Sequence, residues 1–498
     1  MTVTFLSLCF VLLIVGLLLL IFCFYARYKL NYWNRRGVEQ LPNADLVFGH
    51  VKDAMLFRTA PGWHMGVLHN STINKDAPFV GFYVFHKPCL LLRDPKIIKN
   101  IMIRSFENFS DRHFGGSQQK DSMGMTNLFG LKNPAWKYLR SKLTPTLNGS
   151  RLKQMLPLLI QNAETMMKYL EEQSKNLNKH MMIDAQKLSY YYTTDATANV
   201  ALGISMDSFN NPNEITEFGN VLFYGLKRKI AVLNLLYVPE LLTFIGFCVL
   251  SSRSLIRKYL WNSIKNRAET SNKRGDFIDA VIDLKNGKQD PIYNMKGDNL
   301  VNLIGTFYAG FETGSNCVSF ALMKLASHPE YQDKAREDIE RAIKEHGLTY
   351  SGFNDMKYLD QCIYETIRIY PPVPTVDRRT KEDYKIPGTG VTIQKGTPIF
   401  VSLYGMHLDP RFFKQPEIYD PSRFAGGQTV SDAFLPFGLG PRMCPGVKLG
   451  MLYSKVILAM ILREYIVTQN PGQKVVLDSR STLTVAAGSI TLQFKKIY

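Results

Sequence analysis

The chain is 498 residues long, carries a formal net charge of +18, and is 46% hydrophobic and 12% aromatic. That composition excludes an intrinsically disordered chain, and no Gly/Ser-rich linker, low-complexity tract or internal repeat divides it, so one large catalytic unit is expected. Seven cysteines (9, 23, 89, 248, 317, 362 and 444) show neither CxxC spacing nor clustering with histidine, which argues against a disulfide framework and a thiolate zinc site.

The first 26 residues contain no charged side chain and are followed by Arg27, Lys29, Arg35 and Arg36. The run exceeds the ~20 residues needed to cross a bilayer, and its cations follow it instead of preceding it. This predicts a retained transmembrane anchor over 1–26, a basic linker or hinge over 27–50, and a single domain over 51–498. The positive flank places that domain in the cytoplasm, so the sequons at Asn70, Asn108 and Asn148 are expected to stay unglycosylated.

Apolar residues recur at helical spacing in "LKQMLPLLIQNAETMMKYLEEQ", "DNLVNLIGTFYAGFETGSNCVSFALMKLAS" and "VKLGMLYSKVILAMILREY". Short β-like pieces, "FVGFYVF", "CLLLR" and "TVAAGSITLQF", lie near the two ends. The predicted fold class is therefore mainly α with a smaller β region. Between Asp121 and Glu164 no acid occurs, while Lys132, Lys137, Arg140, Lys142, Arg151 and Lys153 accumulate. Taken alone, this is a solvated basic face; no zinc-finger or RNA-binding signature accompanies it, so nucleic acid is not an expected partner. Residues 230–250, "IAVLNLLYVPELLTFIGFCVL", are nearly long enough to span a membrane, but Pro239 and Glu240 in the middle make spanning expensive. A segment dipping into the membrane surface and a buried helix pair are the two readings.

Five motifs carry chemistry. In "WKYLR", Trp136 and Arg140 lie one helical turn apart, which by itself describes a surface stack. "AGFETG", residues 309–314, sits in the middle of the longest helix, where Gly305, Gly310 and Gly314 each cost about 1 kcal/mol relative to alanine. "ETIR" pairs Glu365 with Arg368, and two prolines in "YPPVPTVDR" stop that helix ahead of Arg378. Last comes "FGLGPRMCPG", residues 437–446. Pro445 suits a first helical position, so Cys444 is expected to cap the following helix, whose N–H groups and dipole favour a thiolate. Gly438 and Gly440 permit a tight turn, Gly446 lets a large flat group approach, and Arg442 can meet a carboxylate at its edge. A thiolate so presented describes an axial ligand to haem iron.

This loop resembles the haem-binding signature of the cytochrome P450 monooxygenases at each fixed position: Phe437, Gly440, Arg442, Cys444 and Gly446. The other motifs stand in the family's order over nearly the whole chain. The resemblance implies the P450 fold, a single large haem domain behind an N-terminal anchor, with Cys444 as the metal ligand. It further implies that Arg112, Trp136, Arg140, Arg378, Phe437, Arg442 and Gly446 contact the cofactor. Glu312 and Thr313 are implied to deliver protons across a locally widened helix, and Glu365, Arg368 and Arg423 to form a structural network. The implied donor is a membrane-bound NADPH-cytochrome P450 reductase, with cytochrome b5 as a further candidate, and the implied location is the endoplasmic reticulum membrane. The anchor, "NYWNRRG", "AGFET" and "IYPPVP" are most similar to insect microsomal enzymes that oxidise plant toxins and insecticides. Gly314 and Lys448 depart from common family residues. A haem-thiolate isomerase or dehydratase working without reductase, and a non-catalytic membrane haem protein, are the alternatives; the Glu312 and Thr313 pair favours the monooxygenase. The stretches expected to line the pocket, 107–126, 230–250, Phe307, Phe311, 373–376 and 484–488, are largely apolar, so a lipophilic small molecule is the expected substrate.

Overall fold

The computed structural model describes residues 2–116, 125–176, 180–217, 226–245, 253–270, 273–427 and 430–497. The helix Asp298–Ala326 runs through the centre because it is apolar on nearly every side. It packs against the helices Ala185–Thr197, Lys357–Ile369 and Val447–Glu464. Gly149–Asn176 lies outside them against Ala185–Thr197 and Val447–Glu464. The three periodic stretches read from the sequence are these helices, to within a few residues at each end.

The β region is divided between two main sheets. In the first, Phe79–Val84 and Lys87–Leu92 form a hairpin, Phe79 opposite Leu92. Lys87–Leu92 then pairs in parallel with Pro398–Ser402, and Pro398–Ser402 pairs antiparallel with Thr375–Arg379. The second sheet orders His180–Asp184, Thr491–Lys496 and Tyr465–Gln469, all antiparallel. The expected strand over 484–494 is shorter than read, beginning at Thr491; Thr484 instead bonds the carbonyls of Pro371 and Pro372.

Thr2–Lys29 is one helix, and it is the one helix among the described residues long and apolar enough to cross a membrane. Residues 30–50 lie on the first sheet: Trp33 is fully buried, its N–H donates to the Tyr83 hydroxyl (3.1 Å), and a Cβ at Gly81 would strike its ring.

Within 230–250, the described part forms two helices, Leu226–Tyr237 and Pro239–Ile245. Leu233, Leu236 and Tyr237 are buried in a cluster with Val80 and Phe82 of the hairpin and Met65 and Leu68 of the helix Pro61–Asn70, while Phe244 is 88% exposed. Glu240, costly in a membrane, is paired with Lys87 at 2.6 Å and Arg379 at 3.7 Å. Lys229 forms a buried ion pair with Asp478. Residues 246–250 lie outside the described part.

Candidate active site

The cysteine loop closes on itself. Cys444 N–H donates to the Phe437 carbonyl (2.9 Å), and Met443 N–H donates to the Gly440 carbonyl (2.9 Å). Gly438 and Gly440 have φ of +77° and +75°, a conformation that glycine adopts without penalty. A methyl group at Gly440 would also collide with the carbonyl of Met102, so the loop is pressed against residues 100–104.

The expected cap is corrected. The helix starts at Val447, and the Gly446 carbonyl accepts its first bond, from Gly450 N–H at 2.7 Å, which makes Gly446 the N-cap and leaves Cys444 three positions ahead of the helix. Burial pushes the Cys444 thiol up, while the Gly446 N–H on its sulfur and the nearby charges of Arg140 and Arg112 act in the other direction. The side chain is solvent-accessible although protein surrounds it closely. That combination belongs to a residue facing an internal opening.

Three arginines converge near this cysteine. Arg442 donates through Nε to Ser110 O and through Nη2 to Leu131 O, each at 2.8 Å, and its guanidinium lies 4.2 Å from the centre of the Trp136 ring. Arg112 stands 3.6 Å from Asp377, and Arg378 donates to the Asp377 carbonyl at 2.7 Å. All three are buried. Burial comes first, and their mutual repulsion second for Arg378 and Arg442, in holding these guanidinium groups below their ordinary range; Arg112 is lowered by burial against the pull of Asp377. Even so, among the described residues Arg112 Nε and Nη1, Arg378 Nε and Arg442 Nη1 have no hydrogen-bond partner. Buried cationic donors without acceptors are strongly unfavourable, and an anionic group placed among them would satisfy the donors and offset the repulsion. These residues therefore fit a cofactor with carboxylate edges.

Arg140, one turn beyond Trp136, donates to the Met443 carbonyl at 2.9 Å and so ties the helix Ala135–Leu143 to the cysteine loop. Sequence reasoning did not single out Asp111 or Asp377, and it read Lys132 only as part of the basic face; all three hold this region in place. Asp377 accepts from Phe114 N–H at 2.7 Å, Lys132 donates to the carbonyls of Arg112 and Phe114, and Asp111 lies 3.6 Å from Arg442. The signal was present in "TVDRR", where an acid directly precedes the two arginines.

The second group of expected site residues lies on the core helix Asp298–Ala326. Gly310 is exposed and Thr313 half-buried, while Phe307, Phe311, Cys317 and Val318 are buried around them. A Cβ at Gly310 would meet nothing within 4 Å. The widening expected at 309–314 does not occur: the segment is continuous α-helix, and the Thr313 hydroxyl donates to the Gly310 carbonyl at 3.0 Å. The open space at this point of the helix comes from the missing side chain of Gly310 instead. Glu312 is buried, on a different side of the helix from Gly310.

Beneath the loop, Glu365 and Arg368 are fully buried and joined by two 2.7 Å bonds. Arg368 also donates to the carbonyls of His407 (2.9 Å) and Ile418 (3.1 Å). Glu365 accepts from Asp420 N–H at 2.9 Å and lies 3.4 Å from Arg423. His407, also missed from the sequence, is pushed down to about 3 by burial and by Arg368, and its neutral Nε2 accepts from Leu435 N–H at 3.0 Å. The network thus reaches the loop two residues before Phe437.

With a solvent-accessible cysteine in a tight glycine loop beside buried arginines that lack acceptors, the comparison with known proteins becomes decisive. The family model described as Cytochrome P450 matches residues 47–494. The chain belongs to the cytochrome P450 family. It is similar to Cytochrome P450 6k1 of Blattella germanica, 34% identical over 99% of this chain and 98% of that protein. Probable cytochrome P450 6g2 of Drosophila melanogaster is 33% identical over 93% and 94%, and Cytochrome P450 6B2 of Helicoverpa armigera 31% over 91% of each. This P450 is a haem-thiolate monooxygenase, served by a redox partner and acting on lipophilic compounds.

Proposed function

We propose that Cys444 would ligate the haem iron as a thiolate, that Arg112, Arg378 and Arg442 would hold the haem carboxylates with Trp136 backing Arg442, and that Phe437 and Gly446 would line the cofactor's seat. The observation that carries this reading is the set of partnerless guanidinium N–H groups beside Cys444. When bound, thiolate-ligated haem supplies the chemistry of dioxygen reduction and oxygen insertion. The chain does the rest. Arg140 fixes the carbonyl next to the cysteine, apolar Phe307 and Phe311 exclude water, and buried Glu312 passes protons to Thr313, whose hydroxyl lies against the Gly310 carbonyl. Glu365, Arg368 and Arg423 keep the loop in register. The reduced protein treated with carbon monoxide should show a strongly red-shifted Soret band; haem bound without that shift would refute thiolate ligation.

The electron donor in this reading is NADPH-cytochrome P450 reductase, with cytochrome b5 as a second donor. Residues 1–26 anchor the chain in the endoplasmic reticulum membrane, 27–50 connect the anchor, and the domain over 51–498 faces the cytoplasm. The exposed cations of the acid-free stretch, Lys137 and Lys153, with Lys142 and Arg151 half-exposed, offer an acidic partner a docking face next to the cysteine loop. Lys132 is turned inward and does not belong to that face. Reversing the charge at Lys137 and Lys142 together is expected to slow reductase-driven turnover and to weaken its salt dependence; unchanged salt dependence would remove this face from the docking reading. The substrate class is a lipophilic xenobiotic, such as a plant toxin or insecticide, with endogenous lipids or hormones as the competing class.

A further inference from the structure

Asn316 is 1% exposed, and among the described residues neither its Oδ1 nor its Nδ2 has a hydrogen-bond partner. Its neighbour Ser315 is fully buried, and that hydroxyl is also without a partner. Carrying such groups into the buried side of a helix is unfavourable when nothing satisfies them. Valine, leucine or alanine would fill these positions without that cost, as they do at Val318, Ala321 and Leu322.

The placement is specific. Ser315 and Asn316 stand three and four residues after Glu312, so the three side chains form one patch on the core helix. Buried polar groups that protein atoms do not satisfy are the usual seats of ordered water, and an amide with both a donor and an acceptor can hold one in a fixed orientation. The Glu312 carboxyl is thus flanked on its own helix by Thr313, whose hydroxyl is tied to the carbonyl of exposed Gly310, and by a hydration seat one turn behind.

We propose that Asn316, assisted by Ser315, is a positioning residue for proton delivery: it holds the water that reprotonates Glu312. The inference rests on the role proposed above for Glu312 and Thr313. In each delivery the Glu312 carboxyl releases one proton toward Thr313 and the opening, and the water held by Asn316 returns one proton to the carboxylate. Bulk solvent replaces that proton, and Glu312 ends as it began.

The test uses the full-length holoenzyme with NADPH and reductase, and a lipophilic probe that the unaltered enzyme turns over, such as 7-ethoxycoumarin. In Asn316→Leu the NADPH-driven rate should fall at least about tenfold, within the ~100-fold or more that positioned proton transfer contributes. Its solvent deuterium isotope effect should rise, and more NADPH should be diverted to peroxide. Turnover driven by added hydrogen peroxide, which brings its own protons, should stay within about twofold of the unaltered enzyme. Asn316→Ser, which can still hold water, should recover most of the NADPH-driven rate. The melting temperature of Asn316→Leu should hold or rise, because an unsatisfied amide has been replaced by an apolar group. Equal losses in both assays, or a lowered melting temperature without recovery in Asn316→Ser, would overturn the inference in favour of a packing role. Glu312→Gln separates the two layers: if it leaves the NADPH-driven rate unchanged, the delivery role of Glu312 fails, and if it alone lowers that rate, only the role of Asn316 fails.

Discussion

Cys444→Ser is expected to abolish the red-shifted Soret band of the reduced carbon monoxide complex and, with it, NADPH-driven oxidation. Serine keeps the size and the loop: the closing bond from residue 444 N–H to the Phe437 carbonyl uses the backbone alone, and Gly438 and Gly440 hold their turns independently of the side chain. What is lost is the soft, electron-rich donor, for an alkoxide is not available at neutral pH and a neutral hydroxyl pushes little charge onto iron. Haem should still bind through the arginine cluster, so the variant should retain a haem spectrum while losing the band. Retention of the band in Cys444→Ser would mean that another residue is the ligand. Adding Arg112→Ala and Arg378→Ala to the unaltered cysteine tests the opposite half of the site. There the band should persist in whatever protein keeps haem, but the fraction that keeps it should drop.

Arg368→Ala should be the most damaging change outside the haem site. It leaves the Glu365 carboxylate, fully buried, with only Asp420 N–H and the more distant Arg423, and it frees the carbonyls of His407 and Ile418. Removing one partner of a buried pair costs about 3–5 kcal/mol. That is a large fraction of the ~5–15 kcal/mol total typical of folded proteins. Burial already raises the Glu365 pKa despite its partners, so the stranded carboxyl would be driven further toward its neutral form. Thermal melting and haem content after expression are the measurements. A melting temperature within a degree or two of the unaltered protein would show that the network is not structural. The double change Glu365→Leu with Arg368→Met should lose less than either single change, since no unpaired charge then remains.

Much of this was legible in the chain itself, for reasons that are local. The long apolar N-terminal helix follows from an uncharged run with cations after it, and the core helices follow from 3.6-residue periodicity. The cysteine loop follows from glycines at positions that take left-handed backbone angles. Glu365 and Arg368 were visible as an i, i+3 pair because helical neighbours meet whatever the rest of the fold does. By contrast, the parallel pairing of Lys87–Leu92 with Pro398–Ser402 joins residues about three hundred positions apart, and no local pattern records which strands meet. The clustering of Arg112, Arg378 and Arg442 has the same origin: each comes from a different segment, and only the closed fold reveals that three buried cations share too few acids. Trp136 was read for its spacing from Arg140, yet its partner in space is Arg442. The sequence by itself thus determined the core helices, the long apolar N-terminal helix and the cysteine loop, because these depend on neighbours along the chain. Tertiary structure decided the sheet order, the partners of the arginines and the partnerless amide of Asn316, because burial and satisfaction of a polar group depend on what the whole chain brings around it.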